Sequence, residues 1–451
     1  MNKSLIFTLL LTPVAVAGTN PNNATVDELR QMVVELQGEV AELKNQDHAW
    51  LTEQRADQVR SLVHDVLADA DTRSSLQGAG TTAGYSGGAF LQSADGNWKL
   101  KINGVVQARW LYNDAGSQDS EHGFEQRRTK ITFSGHVSDP SWTYKVTTTW
   151  SRGGGSDTEN AWVSKKLDNG TWFKFGQFKQ RFLRENIISS SRQLGVERSM
   201  INNAFTYGWS QGLELGWKDD DTKLTMQYTD GPNQKNTDAL SEPTNAWVAR
   251  AEFRFGDASW KEFDYLTSKA GANKGLLIGV SYETYDSDLV GPEPDFDLGF
   301  EYGNAQANKS SGWSIDASWR GDGWNVFAYR VDTTGKVKAS GVEQDSSGWL
   351  LQGGFLVNDN IELFAQYQEG EINNQNMDMD SFRVGFNYWP VPGSNNIKWT
   401  TDIGWAGKTL TEGPGGGISS ADWVSPGNGW REDIGTEKDQ MLVRTQLQVL
   451  F

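Results

Sequence analysis

From Trp98 to the final Phe451, apolar and aromatic residues return at every second position in run after run. In the first run Trp98, Leu100, Ile102, Gly104, Val106, Ala108, Trp110 and Tyr112 share one face, while Lys99, Lys101, Asn103, Gln107 and Arg109 share the other. Side chains of an extended strand alternate between two faces, so this is an amphipathic β-strand with aromatic residues at both ends. The same alternation recurs about sixteen times, for instance in Trp142/Tyr144/Val146/Thr148/Trp150, Trp247/Ala249/Ala251/Phe253/Phe255, Phe327/Tyr329/Val331 and Val443/Thr445/Leu447/Val449/Phe451. Beyond the first few residues no apolar run is long enough for a spanning helix, which needs about 20 residues. Any bilayer crossing by this region must therefore use strands closed into a barrel, the other structure that satisfies every backbone group internally.

Connection lengths test this independently, because an up-and-down barrel alternates short periplasmic turns with longer outer loops. Short connections fall at residues 138–141, 167–170, 218–221, 321–323, 358–360 and 390–396, and longer polar ones at 113–125, 179–207, 230–243, 285–311, 333–346 and 409–439. Residues 256–274 are the exception, long although parity puts them on the periplasmic side. A further alternating piece, Phe296/Leu298/Phe300/Tyr302, would make the strand count odd and is assigned to an outer loop. A soluble β-sandwich or propeller is the competing all-β class. The closing strand, Leu447-Gln448-Val449-Leu450-Phe451, resembles the C-terminal signal of outer-membrane barrels and decides for the barrel. The expected fold is an all-β transmembrane barrel of about 16 antiparallel strands with an N-terminal periplasmic coiled-coil helix.

The N-terminal part is organised differently. Lys3, the apolar run from Leu5 to Leu11 and Ala15-Val16-Ala17 match the three regions of a secretory signal, with cleavage expected after Ala17. Val26, Leu29, Val33, Leu36, Val40 and Leu43 follow in alternating steps of three and four, a heptad seam that predicts self-association. The pattern returns loosely at Val59, Leu62, Val66 and Leu67 before a Gly/Ser/Thr-rich stretch. The expected boundaries are signal peptide 1–17, helical coiled-coil segment 18–76, linker 77–97 and outer-membrane barrel 98–451.

Cysteine is absent and histidine occurs four times, so disulfides, thiolate chemistry and a His-rich metal centre are not expected. A formal charge of −17 argues against nucleic-acid binding, which requires net basic surface. The acidity is unevenly placed. If the aromatic set faces lipid, the complementary positions line the lumen, and these carry Lys99, Lys101, Arg109, Arg128, Lys130, Lys145, Lys174, Lys223, Arg250, Arg254, Arg320, Arg330, Arg383, Lys398 and Arg444. Fewer acids share that face: Glu214, Glu252, Glu283, Asp316, Glu362 and Asp402. A basic lumen within low-dielectric walls concentrates anions, and the competing expectation is that these charges pair across the wall and hold it together. Residues 179–207 exceed what strand closure requires and carry Lys179, Arg181, Arg184, Arg192 and Arg198; folded into the lumen they would set a basic constriction.

No catalytic constellation appears, since only His136 sits on an inward strand face and neither an HExxH nor a G-x-S-x-G arrangement occurs. The chain is expected to be neither an enzyme nor a cofactor binder. A sugar-conducting pore is one alternative, for which the inward-turned Trp172 and Trp389 would be the residues to examine; an envelope tether with the barrel as its anchor is another.

Gln126-Arg127-Arg128, the strand 173–177 running into Phe178-Lys179, and Glu197-Arg198-Ser199 resemble the phosphate-selective porin O and P family, a likeness covering most of residues 98–451. The resemblance implies a trimeric, sixteen-stranded bacterial outer-membrane porin whose basic pore residues conduct small anions, with phosphate as a candidate solute. It also implies contact with outer-membrane lipid and lipopolysaccharide, and leaves room for a periplasmic or cell-wall partner of the coiled coil.

Overall fold

The computed structural model describes residues 26–45, 61, 63–64 and 81–451, apart from 117, 151, 153, 233–234, 238–243, 288–308, 337–340, 342, 373–376, 411–422, 426 and 434–437. Contacts divide the chain into two units, 1–76 and 77–451. In the first, helix α1 (Val26–Asn45) leaves Met32, Val33, Val34, Leu36 and Val40 exposed. The signal-like stretch, the later heptad positions Val59, Leu62, Val66 and Leu67, and the alternating piece 296–302 lie outside the described residues.

The second unit is a closed antiparallel barrel. Strands β3 (Lys99–Asp114), β4 (Glu121–Val137), β5 (Asp139–Trp150), β6 (Ser156–Lys166), β7 (Thr171–Lys179), β8 (Trp209–Lys218), β9 (Thr222–Thr229) and β10 (Thr244–Gly256) make its first half. The second half comprises β11 (Gly275–Ser287), β12 (Lys309–Gly321), β13 (Trp324–Lys336), β14 (Glu343–Asn358), β15 (Ile361–Ile372), β16 (Met377–Tyr388), β17 (Ile397–Ala406) and β18 (Gln440–Leu450). Each pairs with its sequence neighbour, and β18 returns to β3 with Val443 opposite Tyr112 and Val449 opposite Val106, which gives sixteen strands without a free edge in the ring. Closure is tight at the chain end: Gly104 N–H donates to the Phe451 carbonyl at 2.6 Å, and a Cβ on Gly104 would lie 2.1 Å from the Phe451 ring.

Residues 77–97, expected as linker, instead hold a hairpin of β1 (Thr81–Tyr85) and β2 (Ala89–Ser93). β2 pairs with the start of β3, Ala89 opposite Ile102, where β18 no longer reaches. The apolar Phe90 and Leu91 give this hairpin its strand character inside an otherwise Gly/Ser/Thr-rich stretch.

Two departures from regular pairing matter for the lumen. Between Gln107 and Ala108 the partner on β4 jumps from Arg128 to Gln126, leaving Arg127 as an extra residue, and between Thr147 and Thr148 the partner on β6 jumps from Asn160 to Thr158, leaving Glu159. A β-bulge turns an extra side chain to a face that strict alternation denies it.

Three connections enter the barrel. Residues 180–208 contain α2 (Arg184–Ile187) and α3 (Met200–Phe205), the latter capped by the Ser199 hydroxyl accepting from Asn202 N–H. Their Phe182, Leu194, Met200, Ile201 and Phe205 are buried in one apolar cluster with Phe327, Val331, Leu350, Phe364 and Met379 from the inner wall. Each such side chain, fully buried, contributes on the order of 1.5–3 kcal/mol. Close approach is needed there: a Cβ on Gly348 or Gly370 would come within 2.7 and 2.8 Å of the Ile201 side chain. The final long connection, expected as an outer loop, adds Leu410, Trp423, Val424 and Trp430 to the same cluster. From the opposite end residues 257–274 bury Ala258 and Phe263 against Leu277.

This filling corrects one face assignment. Phe327, Tyr329 and Val331 point inward, because the wall opposite the inserted segment must itself be apolar, and Arg330 points outward, half exposed and paired with Asp332 at 2.7 Å. Arg330 therefore does not line the pore.

Candidate functional site

The inserted segment occupies the side of the lumen against β10–β18 and leaves a cavity of about 720 Å³ bounded largely by β4–β8 and by its own inner edge. Nine basic side chains line it: Arg127, Arg128, Lys130, Lys145, Arg152, Lys174, Lys179, Arg181 and Arg198. One carboxylate, Glu159, lines it directly, against Lys130. Three more pair with lining cations: Glu125 with Arg152 at 2.7 Å, Glu214 with Lys174 and Arg181 at 2.7 and 2.8 Å, and Glu197 with the two adjacent arginines. Among the described residues the cavity thus has nine cations against four carboxylates.

Glu197, at the heart of the inserted segment, is held by three guanidiniums. Arg127 Nε donates at 2.7 Å, Arg128 through both terminal nitrogens at 2.9 and 2.6 Å, and Arg109 at 2.9 Å. Burial alone would raise this carboxyl, but Arg127, Arg128 and Arg109 outweigh it and hold Glu197 well below the ordinary carboxylate range. The bulge on β4 makes this possible, since it sends both Arg127 and Arg128 into the lumen. Alternation alone assigns Arg127 to the other face, and only the two-versus-one pairing reveals it.

The remaining inward cations mostly grip protein rather than face open space. Arg444 donates to Asp402 at 2.7 Å, and the same carboxylate accepts the Val196 N–H at 2.9 Å. Arg383 donates to the Glu197 carbonyl and Lys398 to the Gln193 carbonyl, both at 2.9 Å. Arg250 pairs with Asp316 at 2.8 Å, and Lys223 with Glu252 at 2.9 Å. Arg184 donates to Glu252 at 2.6 Å and to the Phe263 carbonyl at 2.5 Å, tying the inserted segment to the 257–274 connection. Arg320 donates to the Tyr265 and Thr267 carbonyls, and Arg192 pairs with Asp264 at 3.3 Å and lies over the Tyr265 ring. Arg254 pairs with Asp221 in the β8–β9 turn, while Lys99, over Phe90, and Lys101, opposite Ser134, sit beside the added hairpin.

Of the residues expected at the constriction, Lys179, Arg181 and Arg198 line the cavity, whereas Arg184 and Arg192 bind the 257–274 connection. Lys179 and Arg198 are anchored to backbone carbonyls of Asn186 and Ile188, at 2.7 and 2.6 Å. Lys145 differs from all of these, having no hydrogen bond or ion pair among the described residues. Trp172 lies against the wall, donating to Glu214 at 3.0 Å, and Trp389 is buried in the β16–β17 turn; the aromatic residues bordering the cavity are instead Trp162, Phe178 and Trp209, with Trp150 at its edge.

Comparison with known proteins supports the same architecture. No curated protein matches the sequence significantly. Among solved structures, the anion-selective porin from Comamonas acidovorans superposes with a TM-score of 0.53 at 10% identity, covering 78% of this chain and 99% of that one. The outer membrane channel DcaP of Acinetobacter baumannii gives 0.52 at 12% identity over 82% and 100%. The trimer form of OmpT, an outer membrane protein of Vibrio cholerae, gives 0.51 at 12% over 78% and 99%. At such identities these likenesses speak for the fold. Residues 100–261, from β3 into the connection that follows β10, match the family model for phosphate-selective porin O and P. That stretch, which spans the first eight of the sixteen barrel strands, is similar to the phosphate-selective porin O and P family, and the closed barrel around it has the fold of outer-membrane porins.

Proposed function

We propose that the protein lets small anions, phosphate among them, diffuse passively across the outer membrane through the basic side of its lumen. The observation that carries this reading is the excess of nine lining cations over four associated carboxylates around the open cavity, in a chain that is acidic overall. A cavity with that balance attracts anions and disfavours cations without any moving part. Residues 179–207 are read as the constriction, with Lys179, Arg181 and Arg198 as its permeation groups and Arg184 and Arg192 as its anchors. Lys130, Lys145, Lys174 and Arg128 are the wall groups they face. The family match and the anion-selective relative in the same fold support this assignment.

The protein is read as a channel rather than an enzyme, and as a homo-oligomer, with a trimer supported by the trimeric form of a structural relative. The proposed boundaries are a signal peptide at 1–17, a helical segment at 18–76 reaching into the periplasm, and the barrel from 98. The exposed apolar residues of α1 support coiled-coil association of neighbouring copies or a periplasmic or cell-wall partner. The deciding experiment is the zero-current potential of purified protein in a planar bilayer under a KCl gradient, repeated with phosphate competing against chloride. A potential of the sign set by chloride is expected. One set by potassium, or none, overturns the reading and leaves a general or sugar-type porin.

A further inference from the structure

Inside the cavity, ammonium groups and indole rings are interleaved. Lys174 lies 5.1 Å from the centroid of Trp162 and 5.3 Å from that of Phe178. Trp209 has Lys179 at 4.7 Å and, reaching across from β4, Lys130 at 5.7 Å. The Trp209 indole N–H is buried and has no acceptor among the described residues. Lys145, directly opposite Trp162 on the neighbouring strand, has no anionic partner within hydrogen-bond reach among the described residues.

An ammonium over an aromatic face is attracted to it, and this attraction strengthens as water is excluded. An inorganic anion that draws Lys130, Lys174 or Lys179 towards itself gives up that contact and leaves the ring face to water. An anion that carries its own planar apolar body restores what is lost: its charged end takes the ammonium while its body covers the exposed ring. We propose that this face of the cavity is a binding subsite for organic carboxylates with a planar aromatic body, seated with the carboxylate among Lys130, Lys145, Lys179 and the Trp209 N–H and the ring along Trp162 or Trp209. The inference rests on the anion-conducting reading and adds the solute class that the pore retains longest.

Block of the chloride current through the purified porin by benzoate and by acetate tests it. Both carry one carboxylate, so the ratio of their half-blocking concentrations isolates the aromatic body. Benzoate is expected to block at roughly three- to tenfold lower concentration, the factor that a retained aromatic contact supplies. The ratio should fall towards one in Trp209→Leu and Trp162→Leu. A ratio near one in the wild-type protein, which needs no variant to fold, overturns the subsite while chloride selectivity upholds the porin reading. A high ratio unchanged in both variants places the binding elsewhere and overturns it as well. Loss of chloride selectivity in the wild-type protein strikes at the anion-conducting reading itself.

Discussion

Replacing Glu197 by Gln removes one carboxylate oxygen's charge from between three guanidiniums while keeping the size of the side chain. The four short contacts from Arg109, Arg127 and Arg128 then lose their common anion. Breaking a buried pair from one side costs about 3–5 kcal/mol, and the low end applies because the Arg127 side chain is 21% exposed and partly solvated. About 3 kcal/mol shifts the docked-to-undocked ratio of this part of the inserted segment roughly 150-fold. The segment keeps its other anchors, Asp402 to Val196 N–H and Arg184 to Glu252, so the barrel should assemble and the undocking stay local. One unit of positive charge is also uncovered in the lumen. At about 8 Å in water it is worth about 0.5 kcal/mol in favour of a passing anion and as much against a cation, together roughly a fivefold rise in the chloride-over-potassium permeability ratio. In planar bilayers Glu197→Gln should therefore show larger, noisier openings together with a more anion-directed zero-current potential. Unchanged noise and an unchanged potential would refute the claim that this three-arginine clamp holds the segment in place.

Other consequences can be checked with the same recordings. Lys145→Glu changes the cavity by two charge units at a site without a hydrogen-bonding or ionic partner among the described residues, about 1 kcal/mol against chloride and as much in favour of potassium on the same estimate, and should lower the chloride-over-potassium ratio about thirtyfold without impairing assembly. Arg330→Gln, on the outer face with Asp332, should leave selectivity as it is, so a clear loss would return Arg330 to the lumen. Gly104→Val places a side chain where the Phe451 ring closes the barrel and should reduce the fraction of folded, heat-modifiable protein on gels; normal assembly would deny that closure its importance. The Glu197 carboxyl is held below its ordinary value of 4.5, so its contribution is complete above that value and is lost only as pH falls through the lower folded pKa. Low channel noise should then persist as the bath is acidified from pH 7 past about 4.5, and noise already rising near pH 5 would contradict the clamp.

How much of this was legible in the sequence depends on which rule each residue obeys. Period-two alternation marks the strands because one face meets lipid, and the six acids it places inward, Glu214, Glu252, Glu283, Asp316, Glu362 and Asp402, are all buried on the inner wall. It fails at β13, where Phe327, Tyr329 and Val331 are as apolar as lipid-facing residues because they pack against Phe182, Leu194 and Ile201 of the inserted segment. A strand apolar on the inside carries no periodic sign of which face is which. It fails again at Arg127 and Glu159, since a bulge is a property of a strand pair and neither strand announces it alone. The inward folding of Trp423 and Trp430 was hidden for a different reason: a loop with aromatic residues reads the same whether it covers the mouth or enters it.

The inward cations then divide by what stands opposite them. An inward basic residue on β12–β18 meets the backbone or the carboxylates that hold the connections filling the lumen, Arg383, Lys398 and Arg444 at the inserted segment and Arg320 at residues 257–274, and its charge is spent on architecture. A basic residue on β4–β7 meets the space which that segment leaves, as Arg128, Lys130, Lys145 and Lys174 do. Pairing across the wall and attraction of anions, opposed as readings of the sequence, are therefore both true on different arcs of one barrel. The first produces the second: by filling the β10–β18 side, the inserted segment confines solute to the arc where cations outnumber carboxylates. A variant that empties the filled side should thus lose selectivity even with every cation of the open arc in place, because solute would gain a second path lined by Phe327, Val331, Leu350 and Phe364.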